Sequence, residues 1–148
     1  MCKIRFMKVA FGLAKIAYEF GEVPIGAVVV RKNRIIGAGL NLKETNKNPT
    51  HHAEILAISS ACKRLSLWRL TECDIYTTLE PCTMCIGAII DARISNLIYA
   101  ASYSGKNNKL PLENLFGNHK IDITSGILKD ECSKLISGFF NELRLKTN

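Results

Sequence analysis

The chain has 148 residues, of which 47% are apolar and 22% charged, and 20 Lys and Arg against 13 Asp and Glu leave a net charge of +7. That is a soluble globular composition, long enough for a single domain over 1–148 and too short for two ordinary ones. No apolar run reaches the roughly 20 residues of a membrane span, and the pI of about 9.2 suits a polyanionic partner such as nucleic acid, although a Lys- and Asn-rich bias of composition produces the same balance.

In chain order, Met7, Ala10, Phe11, Ala14, Ala17 and Tyr18 recur at three- and four-residue intervals and predict an amphipathic helix over Cys2–Glu19, stopped by Gly21. The same segment mixes basic and apolar residues as a leader peptide does. Lys8 and Lys15 interrupt its apolar stretch and no small-residue cleavage pattern follows, so a helix is the better reading. A β-branched run from Ile25 to Arg31 and a second strand from Arg34 to Gly39, joined by Lys32-Asn33, predict a hairpin. Polar residues from Leu40 to Thr50 form a loop, and a helix follows from about His51 to Leu65. Asp74–Leu79 reads as a strand, Cys82 to about Ala92 as a helix with Pro81 in its first turn, and Asn96–Ala101 as a strand. The stretch 102–118 is polar and irregular, Lys120–Thr124 is a short strand, and Lys129 to about Leu145 is the closing helix. Strand–helix alternation in the middle implies parallel pairing there and a hairpin at one edge. The expected architecture is α/β, a three-layer αβα sandwich whose mixed five-stranded sheet carries helices on both faces.

Two short motifs carry the chemistry. His52-Ala53-Glu54 opens one predicted helix and Pro81-Cys82-Thr83-Met84-Cys85 opens another. Cys82 and Cys85 are the only close pair among six cysteines; Cys2, Cys62, Cys73 and Cys132 read as small buried hydrophobes or incidental thiols. In a cytosolic chain such a pair serves metal or redox chemistry in preference to a structural disulfide. Residues three apart share a helix face, and the free N–H groups at a helix start favour thiolates. Side chains in a helix's first turn tilt toward its N-terminus, so His52 and Glu54 can converge ahead of the helix end. His52, Cys82 and Cys85 would then place two thiolates and an imidazole on a zinc ion, leaving one tetrahedral position open for chemistry. A closed, structural site would need a fourth ligand, for which Cys62, Cys73 and His119 are candidates without ligand-pair spacing. His51 reads as a supporting, surface or substrate-contacting residue.

The pattern H-x-E followed by P-C-x-x-C resembles that of zinc-dependent nucleobase deaminases, whose Glu is an acid/base and not a ligand. More of the chain is similar to the bacterial tRNA adenosine deaminases: Gly21-Glu22-Val23-Pro24-Ile25-Gly26-Ala27-Val28-Val29-Val30, Asn41, Pro49-Thr50 before His-Ala-Glu-Ile, Leu79 to Ala88, Asn118-His119, and Gly126-Ile127-Leu128 through Phe139-Phe140. The resemblance implies a cytidine-deaminase-like fold, a cytoplasmic homodimer, one Zn2+ per subunit, and conversion of adenosine to inosine at the wobble position of a tRNA anticodon. By position, His52, Cys82 and Cys85 would be zinc ligands, Glu54 the catalytic proton shuttle, Asn41 a hydrogen-bond partner of the flipped nucleotide, and Ile25 and Leu79 walls of the base pocket. The implied partner is a tRNA anticodon stem-loop, with neither DNA nor a membrane expected.

The chain departs from that family in three places. Tyr103 stands where relatives carry an acidic residue in the loop after the fourth strand. Asn48 and His51 replace the usual Asp and Ala. Near the C-terminus Arg144 and Lys146 remain of a larger basic cluster. Two other readings stay open: a deaminase of a free guanine, cytosine or nucleoside on the same fold, and a zinc-stabilised RNA-binding module without catalysis. The uncoordinated carboxylate of Glu54 argues against the second.

Overall fold

The structure is a computed structural model and describes residues 2–102 and 119–147. Its elements are α1 (Cys2–Glu19), β1 (Gly26–Arg31), β2 (Arg34–Leu40), α2 (Ala53–Leu65), β3 (Cys73–Leu79), α3 (Thr83–Asp91), β4 (Asn96–Ala101), β5 (Asp122–Ser125) and α4 (Lys129–Thr147). The strands form one sheet in the order β2-β1-β3-β4-β5. β1 is antiparallel to β2 and β3, whereas β3–β4 and β4–β5 are parallel. The expected mixed sheet with a hairpin at one edge is therefore the one formed. Lys32 and Asn33 both take positive φ (48° and 64°), as a two-residue turn of the type I′ kind requires.

Successive residues of a strand point to opposite faces, and each face here has its own core. On one side Ala27, Val29, Ile75 and Leu97 meet Ala53, Ala57 and Ala61 of α2 and Ile89 of α3. On the other, Val28, Val30, Tyr76 and Ile98 meet Phe6, Met7 and Ala10 of α1 and Cys132 of α4. This is the three-layer arrangement, with α2 and α3 opposite α1 and α4. Among the described residues no helix is long and apolar enough to cross a membrane. The N-terminal segment is a packed helix whose Ala10, Ala14 and Ala17 are fully buried.

Small residues set how closely α2 lies on the sheet. Ala53, Ala57 and Ala61 form a stripe at intervals of four, and Gly37 and Gly39 of β2 face it. A Cβ on Gly39 would fall 2.6 Å from the amide nitrogen of Ala57 and closer still to the carbonyl of Ala53. Both neighbours are helix backbone and can move only if α2 does. Gly39→Ala should therefore cost about 1–3 kcal/mol and lower the thermal midpoint by roughly 2–12 °C in calorimetry, whereas a shift under about 1 °C would mean that α2 backs away freely.

Several boundaries moved by one or two residues. β1 begins at Gly26 and not Ile25, because the amide of Ile25 bonds the carbonyl of Val23 in a tight turn. β5 covers 122–125 and not 120–124. The larger difference lies at the two helix starts. α2 begins at Ala53 with His52 as its extended N-cap residue (φ −76°, ψ 155°), and α3 begins at Thr83 with Cys82 in the same role (φ −72°, ψ 171°). Pro81 thus precedes the cap and is not in the helix's first turn.

Candidate active site

The N-termini of α2 and α3 lie side by side, at the C-terminal end of the parallel pair β3 and β4. In α/β sheets such ends are where ligands are received. An N-cap residue is extended, so its side chain projects ahead of the helix axis and not along its flank. That geometry lets His52 and Cys82 reach one point from two helices, and Cys85 joins them from the first turn of α3. His52 Nδ1 lies 3.7 Å from Cys82 Sγ and 3.6 Å from Cys85 Sγ. All three ligand atoms fall within 4.8 Å of one another, a group able to hold a metal ion.

No fourth ligand joins this cluster among the described residues. The three candidates for one are engaged elsewhere. Cys62 Sγ faces the carbonyl of Trp68, Cys73 Sγ that of Thr71, and His119 Nε2 that of Ile94 at 2.7 Å. Neither N-cap side chain, His52 nor Cys82, closes a capping hydrogen bond, so both remain available for another use.

The electrostatics of the two thiols diverge. A hydrogen bond with Cys85 lowers the Cys82 pKa; burial opposes it, the backbone amides of Cys85 and Met84 and the charge of His52 add to it, and the result is about 5. Cys85, the inner and fully buried thiol, is driven far up by its hydrogen bond with Cys82, by burial and by the negative charge of Glu54. Cys85 is thus the thiol that holds its proton, and it donates to Glu54 Oε2 at 3.3 Å.

Glu54 stands beside the three ligand atoms without belonging to their cluster. It is buried, at 3% exposure, and its other oxygen accepts a hydrogen bond from Thr77 Oγ1 at 3.0 Å. Burial raises its pKa, and the hydrogen bonds from backbone, Cys85 and Thr77 only partly offset that. A carboxyl that holds a proton more tightly than usual, adjacent to a metal-binding cluster, is suited to proton transfer.

A pocket of about 900 Å³ meets this cluster at His52. Ile25, Leu79 and Asn41, the residues singled out in the sequence, line it together with His52. Asn41 is buried and already half-committed. Its Nδ2 donates to the carbonyl of Val23 at 3.2 Å and its Oδ1 accepts from the amide of Lys43 at 3.2 Å, leaving one N–H and one lone pair. His51 does not line the pocket; its Nδ1 pairs with Asn46 Nδ2 at 3.0 Å. Asn48 turns its side chain back onto Thr50. Tyr103 and Asn118 lie outside the described residues.

One whole wall of this pocket comes from α4, and of its residues the sequence singles out Arg144 alone. Ser133, Ile136, Ser137, Phe140, Asn141 and Arg144 line it at helical spacing from α4. Their periodicity was visible, but only packing reveals that this face turns to the site and not to the sheet. Thr77, the partner of Glu54, reads in sequence as any strand threonine.

Comparison with known proteins agrees with this geometry. A family model described as MafB19-like deaminase matches residues 1–144. The chain is similar to the tRNA-specific adenosine deaminase of Buchnera aphidicola subsp. Baizongia pistaciae, with 48% identity over 94% of this chain and 88% of the relative. It is 44% identical to the enzyme of that name from Bacillus subtilis, over 95% of this chain and 90% of the relative. A solved structure from work on A-to-I editing by tRNA:A34 deaminases at the wobble position of transfer RNA superimposes with a TM-score of 0.81 at 38% identity, covering 88% of this chain and 98% of that one.

Proposed function

Because the chain belongs to the MafB19-like deaminases, and among them to the tRNA-specific adenosine deaminases, we propose that it hydrolytically deaminates adenosine to inosine at the wobble position of a tRNA anticodon. The observation that carries this reading is the set of three converging ligand atoms with one buried carboxyl beside them, at the head of a pocket large enough for a nucleoside.

The ligand set fits zinc. Tetrahedral zinc with bonds of about 2.3 Å to sulfur and about 2.1 Å to nitrogen needs ligand–ligand edges of roughly 3.5–3.8 Å. The separations of 3.6 and 3.7 Å from His52 Nδ1 to the two sulfurs support that fit. In this reading His52, Cys82 and Cys85 hold one Zn2+ per subunit, which supplies a Lewis acid able to lower the pKa of water toward about 7.

Glu54 performs the proton transfers. It takes one proton from the water that adds to C6 of adenine and delivers it to N1; it then takes the second from the hydroxyl left on C6 and gives it to the amine, so that the C6–N bond breaks as the carbonyl of inosine forms, water is consumed and ammonia released. Thr77 holds its carboxyl in place for these steps. Ile25 and Leu79 exclude water from the two sides of the base, and Asn41 uses its remaining N–H and lone pair on the nucleotide. A base must be extruded from an RNA loop to reach this depth, as recognition of single-stranded loop bases allows. The net charge of +7 supports an RNA partner. The enzyme would act in the cytoplasm as a homodimer, and the exposed Leu67 and Trp68 offer apolar surface for association.

The test is to offer the zinc-loaded protein an anticodon stem-loop with a wobble adenosine and, separately, free bases and nucleosides. Inosine formed only in the RNA is the expected result. Turnover confined to free substrates would establish the small-molecule alternative, and inert zinc-bound protein the binding module. RNA affinity should also fall with salt, with a log–log slope of roughly −0.7 per phosphate neutralised, and a flat response would leave the positive charge without an RNA role.

A further inference from the structure

One buried charge lies outside the deamination chemistry. α1 ends in a Schellman turn: the amide of Gly21 bonds the carbonyl of Tyr18 and that of Glu22 bonds Ala17, with Gly21 at φ +75°. The turn delivers Glu22 to the interior, where it is 1% exposed. Its two oxygens grip a different segment. Oε1 accepts from the amide of Glu44 at 3.0 Å and Oε2 from that of Thr45 at 2.7 Å. Burial alone would raise its pKa. Hydrogen bonds from the Thr45 side chain and amide and from the Glu44 amide, together with the charge of Lys47, outweigh it and keep the carboxyl below its ordinary value. An ionised carboxylate bridging two backbone donors makes strong, directional bonds.

The position of the clamp gives it a consequence. The segment it grips joins β2 to α2 and closes largely on itself: Asn46 bonds Leu42, Lys47 bonds Glu44, and Asn48 bonds Lys43. At its start stand Asn41 and Lys43, which line the pocket; directly after Glu22 come Val23 and Ile25, which line it too. Glu22 thus ties together two pieces of chain that make adjoining parts of one wall.

We propose that Glu22 is a positioning residue for substrate binding, its buried carboxylate clamping the amides of Glu44 and Thr45 so that Asn41 and Lys43 stand at a fixed separation from Val23 and Ile25. The inference rests on the reading that this pocket receives the target nucleoside. Glu22 itself touches no reacting atom. Its loss loosens the wall that binds, and leaves the metal cluster and Glu54 on α2 and α3 in place.

The experiment compares Glu22→Ala and Glu22→Gln with the parent, as zinc-loaded full-length protein, on the anticodon stem-loop. For Glu22→Ala, KM should rise about tenfold or more while kcat per zinc-loaded site stays within about threefold. Glu22→Gln keeps one acceptor oxygen and should fall between. Backbone amide exchange measured by NMR should accelerate at Glu44 and Thr45 in both variants, more in the alanine one. Unchanged exchange at those two amides overturns the clamp. An unchanged KM, with activity lost only in proportion to zinc-loaded protein, overturns the positioning role and leaves Glu22 a purely stabilising residue. A parent inactive on RNA would instead sink the proposed function, and the substrate half of this inference with it, while the exchange rates still decide whether the clamp exists.

Discussion

Glu54→Gln should bind zinc to the same stoichiometry as the parent and deaminate the anticodon stem-loop more slowly by about 10³-fold, within the roughly 10²- to 10⁴-fold typical of a positioned acid/base. Glutamine has the shape of glutamate and keeps an oxygen for the hydroxyl of Thr77, so the packing around it is conserved. What it lacks is a proton that can be taken up and given back. Glu54 is also outside the group of three ligand atoms, so metal content should not follow activity down. Zinc measured by atomic emission and inosine measured by chromatography separate the two quantities. A Glu54→Gln variant that turns over at the parent's rate would show that the proton travels by another route, and one that loses zinc would make Glu54 a ligand.

Cys82→Ala should fail differently, losing metal, activity and stability together. Cys82 supplies one of three ligand atoms, and its thiol, lowered to about 5 chiefly by the hydrogen bond with Cys85, is the group that is anionic at neutral pH without metal. Without it a cation meets an imidazole and a thiol that resists ionisation. Affinity should fall by more than the roughly 10- to 100-fold typical of altering a residue that merely supports a ligand. Cys82 occupies the N-cap of α3 and its sulfur is near the amides of Met84 and Cys85 without closing a capping hydrogen bond, so alanine removes only a weak contact with the helix start and the loss is chiefly that of a ligand. A metal bound at 1,000 times its dissociation constant adds about 4 kcal/mol to stability by mass action. The parent should therefore melt well below its zinc-loaded midpoint when a chelator is present. Cys82→Ala should melt at one temperature with or without chelator. A chelator-sensitive midpoint in Cys82→Ala would mean that the metal is held elsewhere.

These outcomes differ because the residues sit in different layers of the site, and those layers were not equally legible beforehand. His52, Cys82, Cys85 and Glu54 could be named from two short motifs, since ligand chemistry depends on residue type and local spacing. Their placement was only partly foreseen. Reading Cys82 as part of a helix face put it alongside Cys85, whereas its extended backbone as a cap turns it out ahead of the axis, toward His52. The difference is one residue of helix boundary, the least determinate feature of a hydrogen-bond pattern read from periodicity. Ile25, Leu79 and Asn41 were named from resemblance, and the structure brings all three to one pocket.

The chain alone determined its element order, the hairpin at one edge and the donor atoms of the group able to hold a metal, because period-two and period-3.6 patterning, turn residues and ligand types all act over a few neighbouring positions. Tertiary structure decided the rest. It turned one face of α4 toward the cavity, set Thr77 against Glu54, and seated the Glu22 carboxylate on the amides of Glu44 and Thr45. Each of these contacts joins segments distant in sequence through a side chain or amide that has many possible partners. Which partner it takes depends on how the helices settle on the sheet, and that depends on the packing of the whole core.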